Sequence, residues 1–134
     1  MRKAATYRDK GIETAVNDIL KSRARSRIYI YLLAKNGART EEIIKATRLH
    51  PSTVRETLSK MYDNKQIYRK KIKNDSIGKN PYLYYPISPI KLLKRHAREI
   101  EDRLNKLASL AFSREKVNNF RPVEINIDEG VDKI

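Results

Sequence analysis

Hydrogen-bonding side chains gather on one side of residues 52–65 when that segment is drawn as a helix. Val54, Leu58 and Met61 make a narrow apolar stripe that must pack inward. The groups that project away from the stripe are Ser52, Arg55, Glu56, Ser59 and Lys60, and Thr53 and Thr57 lie near its boundary. Several of them are small, so such a helix could approach another macromolecule closely and exchange hydrogen bonds with it.

The chemistry of this outward side suits the base edges in a DNA major groove. Arg55 could donate two hydrogen bonds to a guanine, a pairing that contributes roughly 1–3 kcal/mol of discrimination. Glu56 could accept a hydrogen bond from a cytosine amino group. The alternative is an ordinary solvent-exposed helix with mixed polar residues. The neighbouring elements decide between the two.

A helix and a tight turn are predicted immediately before this segment. Thr40 is placed as the N-cap of a helix over residues 41–48. The turn covers residues 49–51, because Pro51 disfavours helical geometry in the residue before it and suits a first helical turn. Helix-turn-helix turns often have glycine near the position of Arg48, so a left-handed residue there would carry strain.

A hairpin is predicted after the segment, with strands at residues 66–73 and 81–87 and a polar tip at residues 74–80. Its lysines could contact flanking phosphates or enter the minor groove. Alternatively, lysines on an edge strand only discourage sheet aggregation. With two arginines from the N-terminal part, the basic residues expected to flank the DNA contact are Lys70, Lys71, Lys73, Lys79, Arg23 and Arg25.

Tyrosines are frequent in the second strand of this hairpin. Leu83, Tyr85 and Ile87 share one strand face and are expected to join the core. Tyr82 and Tyr84 are then left for solvent. Aromatic side chains among lysines admit a second interpretation, in which they stack on the bases of a single strand.

The N-terminal part predicts two helices. The first is amphipathic and covers residues 12–21. Either Ser22 or Ser26 could cap the second, and Gly37 is placed to end it as a left-handed C-terminal residue.

Residues 88–112 show the clearest helical pattern, with apolar residues spaced alternately by three and four. Ser88 is placed as its N-cap and Pro89 as its first residue. The heptad seam consists of Ile90, Leu93, Ala97, Ile100, Leu104, Leu107 and Ala111. We expect this seam to form a two-fold homodimer, which would set two copies of the segment 52–65 roughly 34 Å apart, over half-sites about 10 base pairs apart. The alternative is a helix that folds back on its own domain.

The charge of the chain favours a polyanionic partner. The 134 residues carry a formal net charge of +14, and the last 22 hold four basic and five acidic side chains, so the whole excess lies in residues 1–112. The absence of cysteine excludes disulfides and thiolate catalysis. Neither a membrane span nor a secretory signal is visible in the hydropathy pattern, and we expect a cytoplasmic protein.

No constellation for catalysis or metal binding is visible. His50 and His96 are the two histidines, and no cluster of metal ligands accompanies either of them. The four glycines are scattered singly, without a phosphate-cradling loop. We therefore expect no enzymatic activity, no metal and no cofactor.

The order of these elements resembles the archaeal winged helix-turn-helix transcription regulators, especially the TrmB-like and MarR-like groups. The resemblance runs from Ser26 to about Leu107, through RIYIYLLAKNGARTEEIIKATRLHPSTVRETLSKMYDNKQIYRKK and NPYLYYPISPIKLL. It implies an α+β fold that is mainly helical with a small β-hairpin. In that fold residues 52–65 are the recognition helix, residues 74–80 the wing and residues 88–112 the dimerisation helix.

Four regions follow from these assignments. They are an N-terminal helix with a basic arm at residues 1–22, a winged helix DNA-binding domain at 23–87, a coiled-coil-like dimerisation helix at 88–112 and an acidic tail at 113–134. In the tail, Val123, Ile125 and Ile127 alternate with polar residues, so the tail is expected either to be disordered or to form one short strand.

Three functions are compatible with the sequence. The leading hypothesis is a homodimeric, sequence-specific transcription regulator that binds double-stranded DNA. The second is an architectural, chromatin-like protein that coats duplex DNA without reading it. The third is an adaptor that binds a protein partner through the helix seam and the edge of residues 123–127. The pattern defines no small-molecule effector.

Overall fold

The computed structural model describes residues 9–72, 82–115 and 121–127. In these ranges it contains, in chain order, α1 (Lys10–Leu20), α2 (Arg23–Lys35), α3 (Thr40–Thr47), α4 (Pro51–Asp63), β1 (Ile67–Lys71), β2 (Tyr82–Pro86) and α5 (Pro89–Glu115). The two strands form one antiparallel hairpin. The chain divides after Ile87 into two compact units. The expected α+β class, mainly helical with a small hairpin, is confirmed.

Polar side chains fix the starts of the first two helices. Asp9 accepts hydrogen bonds from the main-chain nitrogens of Gly11 and Ile12, at 2.7 and 3.4 Å, and so satisfies free donors in the first turn of α1. Ser22 accepts a hydrogen bond from the main-chain nitrogen of Arg25 at 3.2 Å. Ser22, and not Ser26, is therefore the N-cap of α2.

The end of α2 differs in detail from the expectation. Asn36, and not Gly37, is its left-handed C-terminal residue, with a φ of 56° and an N–H that donates to the carbonyl of Leu32 at 2.8 Å. Asparagine tolerates this backbone region better than most residues with a side chain. Gly37 follows with a φ of 115°, and a Cβ there would lie 2.5 Å from Cε1 of Tyr85. The glycine therefore permits the close approach of the hairpin.

Helix α3 and the turn after it form where the sequence predicts them, with one difference. Thr40 is not the N-cap but the first residue of α3, where it is buried. Arg39 takes the cap position, and its N–H donates to the carboxylate of Glu42 at 2.9 Å. Arg48 is left-handed with a φ of 59°, so the strain expected at this turn is present. Pro51 is the first residue of α4, as expected.

The core of the first unit anchors one side of α4. The apolar stripe expected to face inward does so, since Val54, Leu58 and Met61 are at most 2% exposed. Thr57, expected at the boundary of the stripe, is buried with them. Other buried members of this core are Ile28, Tyr29, Leu32 and Ile43. Burial contributes about 1.5–3 kcal/mol for each large apolar side chain, so α4 is held firmly.

The register of the hairpin overturns one expectation. Ile67 and Arg69 of β1 lie on the same sheet face, and Tyr84 pairs directly with Arg69. Tyr84 therefore shares the face of the buried Ile67 and is itself only 7% exposed. The expectation that Tyr84 is left to solvent while Leu83 and Tyr85 fill the core is wrong, because alternation within one strand does not say which face packs inward.

Tyr29 ties α2 to the residue that ends the first unit. It is buried, and its hydroxyl donates to the carbonyl oxygen of Ile87 at 2.8 Å. Burial disfavours the phenolate and raises the pKa of Tyr29 to about 12.

We expect Tyr29→Phe to lower the free energy of unfolding by about 1 kcal/mol at neutral pH, because it removes the hydrogen bond to the carbonyl of Ile87. The unaltered protein should also lose stability as the pH rises from about 10, where a free tyrosine ionises, through the raised pKa of Tyr29. In that range the unfolded chain releases a proton that the folded chain retains. Urea unfolding across the alkaline range should show a smaller loss in the variant. An equal loss in both proteins would contradict this reasoning.

Candidate nucleic-acid interface

The outward side of α4 is open to solvent. Its exposed residues are Ser52, Arg55, Glu56, Ser59 and Lys60, and Thr53 at the boundary is half-buried. This exposure follows from the apolar stripe, which holds the opposite side of the helix in the core. The helix therefore presents hydrogen-bonding groups to its surroundings from its first turn to its last.

Local interactions on this side are short-range, and one of them joins Oγ of Ser52 to Nδ1 of His50 at 2.8 Å. At the N-terminus of α4, Nδ1 of His50 accepts a hydrogen bond from the main-chain nitrogen of Ser52 at 3.2 Å. Further along, Nζ of Lys60 lies 3.0 Å from Oε1 of Glu56, and both side chains are more than half exposed. An exposed pair of this kind contributes little to stability, so it can open when a ligand offers either partner a better contact.

The hairpin is attached beside α4 by a further short pairing. Ala38, from the loop between α2 and α3, exchanges two main-chain hydrogen bonds with Tyr84, at 2.8 and 3.0 Å. The hairpin face that carries Tyr84 and Arg69 lines an open cleft of about 330 Å³, and Arg55 of α4 lines the same cleft. The outward side of α4 and one face of the hairpin thus form a continuous surface.

Arg69 also lies at this surface, although it is not among the residues predicted from the sequence. Its guanidinium carbon lies over the rings of Tyr62 and Tyr82, 4.1 and 4.2 Å from their centroids. Burial lowers the pKa of Arg69, but a side-chain hydrogen bond with Tyr84 and the neighbouring tyrosines raise it, so the net shift is upward. The strand period could have pointed to Arg69, since it follows the core residue Ile67 by two positions and must share its face.

The lysines expected to flank the DNA divide between the two faces of the hairpin. Lys71 lies on the face that turns towards α4, whereas Lys70 lies on the other face, its Nζ 5.1 Å from the centroid of the Tyr85 ring. Both are exposed. Lys73 and Lys79, with the predicted tip at residues 74–80, lie outside the described residues.

The two arginines assigned to the flank lie in the first turn of α2. Arg23 is exposed and lines an open cleft of about 350 Å³ between α1 and α2, together with Lys10 and Glu13. Arg25 is half-buried. Neither arginine lines the cleft beside α4.

The apolar seam of α5 forms as a row of mostly accessible side chains. Its exposed members are Ile90, Leu93, Leu104 and Leu107. Its less accessible members are Ala97, Ile100 and Ala111. Helix α5 begins at Pro89 as expected, and Ser88 accepts a hydrogen bond from the main-chain nitrogen of Lys91 at 3.3 Å. A row of large exposed aliphatic side chains of this kind indicates an interaction surface.

Residues 121–127 are held along α5 by side chains of that helix. The amide of Asn105 donates to the carbonyl of Val123 at 3.1 Å and accepts from its nitrogen at 2.6 Å. Glu101 accepts from the nitrogen of Ile125 at 2.6 Å, and Arg98 donates to the carbonyl of Ile125 at 2.7 Å. No strand is assigned to these seven residues, whose main-chain groups bond to a helix instead of another strand.

Among residues 9–72, 82–115 and 121–127, no three histidine, aspartate or glutamate side chains gather to hold a metal ion. No helix in these ranges is long and apolar enough to cross a membrane. His50 caps α4, and His96 is half-buried on α5.

The helix, turn and second helix, followed by a hairpin that pairs with the loop before α3, define a winged helix. The sequence itself matches no known family and no curated protein. Among solved structures, the chain is similar to a possible transcriptional regulator from Methanosarcina mazei Go1. The TM-score is 0.58 at 19% sequence identity, over 73% of this chain and 86% of that chain. At this identity the likeness supports the fold.

Proposed function

We propose that this protein is a transcription regulator that binds double-stranded DNA through α4 and the hairpin. The observation that carries the proposal is that α4 has one buried side and one exposed side. Val54, Leu58 and Met61 fix one side in the core, while the opposite side is exposed and rich in hydrogen-bonding groups. A helix held in this way can enter a major groove, where Arg55 can donate to a guanine.

Sequence-specific contacts come from α4 and general contacts from the basic residues around it. The direct contacts to DNA are assigned to Ser52, Thr53, Arg55, Glu56, Ser59 and Lys60. The hairpin lysines and the arginines of α2 add attraction to phosphates without reading bases. The formal charge of +14 supports the general part of this division, because it attracts the phosphates of any DNA sequence.

The protein acts as a homodimer in this proposal, with the seam of α5 as the interface. The support is the exposure of Ile90, Leu93, Leu104 and Leu107 in the single chain, which a second copy of the same helix would cover. A two-fold dimer predicts a palindromic DNA site with half-sites about 10 base pairs apart.

A selection of preferred duplexes from random DNA tests the proposed function. We expect a palindromic sequence to be enriched and to stay bound in the presence of competitor DNA at physiological salt. With about eight phosphate contacts per dimer, the logarithm of the affinity should fall with the logarithm of the salt concentration at a slope near −7. An architectural protein would lose preference and affinity together, and an adaptor would bind little DNA; either result would contradict the proposal.

A further inference from the structure

The open cleft of about 330 Å³ between α4 and the hairpin brings two arginines together. Arg55 reaches it from α4 and Arg69 from β1. Asp63 is the one carboxylate among the described residues that line the cleft, and no ion pair within those residues joins it to either arginine. The cleft therefore carries an excess of positive charge.

The guanidinium of Arg69 is positioned before any ligand arrives. Tyr62 comes from α4 and Tyr82 from β2, and both rings lie close to the guanidinium carbon, at 4.1 and 4.2 Å. Cation–π contacts use the face of the guanidinium, so the N–H groups that do not bond to Tyr84 can still donate. Holding a long side chain in advance removes part of the entropy loss that binding would otherwise cost.

The remaining polar groups of the cleft suit an oxyanion. Ser59 and Tyr84 contribute hydroxyl groups to its lining. A guanidinium that keeps two N–H donors available binds phosphate through two parallel hydrogen bonds, which an ammonium group cannot reproduce. A group held by two rings also cannot adjust to different bases, so it suits a ligand group that every DNA sequence presents in the same way.

We infer that this cleft is a binding site for one phosphate of the DNA backbone, with Arg69 as its fixed donor. The inference rests on the proposed function, because it names the part of the DNA that the cleft contacts. Arg55 adds charge at the border of the cleft and keeps its own guanidinium for a base. Arg69 thus sets the position of α4 along the groove, a role distinct from the general attraction of the hairpin lysines.

Binding to a short fluorescent duplex of mixed sequence tests the site through four variants. Arg69→Ala should weaken binding about tenfold and reduce the magnitude of the salt slope by roughly 0.9 for each phosphate that is no longer neutralised. Arg69→Lys keeps the charge but lacks the planar fork, and we expect a loss of about fivefold or more. Tyr62→Leu keeps every charge but frees the guanidinium, and we expect a loss of about two- to fivefold. The matched control is Lys35→Ala, which removes one exposed charge at the end of α2 and should change affinity less than about twofold.

The results distinguish a failure of the phosphate site from a failure of the proposed DNA binding. If Arg69→Lys binds as tightly as the unaltered protein, only charge matters and the site is overturned. The same holds if Arg69→Ala and Lys35→Ala lose affinity equally. If the unaltered protein binds no duplex at all, the proposed function fails and the site fails with it. Arg69 and Tyr62 are exposed, so the variants should fold, and thermal unfolding verifies that they do.

Discussion

Replacing Leu104 and Leu107 of α5 by glutamate should convert the proposed dimer into a monomer and weaken DNA binding about 100-fold or more. Two linked binding modules gain roughly 10²–10⁴ in avidity over one, and the monomer loses that gain. The single chain exposes these leucines to 41% and 64%, so glutamate costs the chain's own fold little. In a dimer, by contrast, the new carboxylates would be buried without partners.

Sedimentation equilibrium and DNA titration together check this result. The unaltered protein should show twice the 15.7 kDa of one chain, and the double variant that mass itself. The matched control is Ser109→Glu with Ser113→Glu, which adds the same two charges at exposed positions on the opposite side of α5. A double leucine variant that remains dimeric, or a monomer with undiminished affinity, would refute the proposed interface.

Replacing Arg55 by alanine should relax sequence preference at one base pair while retaining most of the general affinity. The bidentate pairing with guanine contributes roughly 1–3 kcal/mol of discrimination, which corresponds to about 5- to 150-fold between the preferred duplex and one altered at that position. No ion pair or hydrogen bond engages the Arg55 side chain within the described parts of the chain, so its removal leaves the fold intact.

Competition between the selected duplex and a series of single base-pair changes measures the effect. Lys71→Ala serves as the comparison, because it removes one charge from the hairpin and should weaken all sequences alike. Identical behaviour of the two variants would show that α4 does not read sequence and that the division of labour between helix and hairpin is wrong.

The elements that depend on local patterns could be predicted from the sequence. Val54, Leu58 and Met61 repeat at helical spacing, and that spacing alone determines which side of α4 faces inward. Pro51 fixes the start of the same helix through its own backbone restriction. The exposed side of α4 follows directly from these two facts.

Features that depend on the meeting of distant segments could not be predicted in this way. The inward face of β2 is decided by its pairing with β1, and the alternation of Leu83 and Tyr84 is equally compatible with either face. The position of Arg69 requires Tyr62 from one element and Tyr82 from another. Neither of these ring interactions leaves a signal in a single segment.

The last segment shows the same limit. Val123 and Ile125 alternate with polar residues as a strand would, yet their main-chain groups bond to the side chains of Glu101 and Asn105 on a helix. Those helix side chains look like ordinary solvated residues when α5 is considered alone. Their role becomes visible only when residues 121–127 are placed beside them.

The hydrogen bonds that hold residues 121–127 along α5 limit the number of copies that can assemble through this helix. Arg98, Glu101 and Asn105 lie within one sector of α5, and the chain's own segment already fills that sector. In a bundle of three or four helices, each helix contacts two neighbours and therefore needs a second free flank beside its apolar seam. Assembly through α5 should therefore stop at two copies, because each chain fills with its own residues the flank that a larger bundle would require.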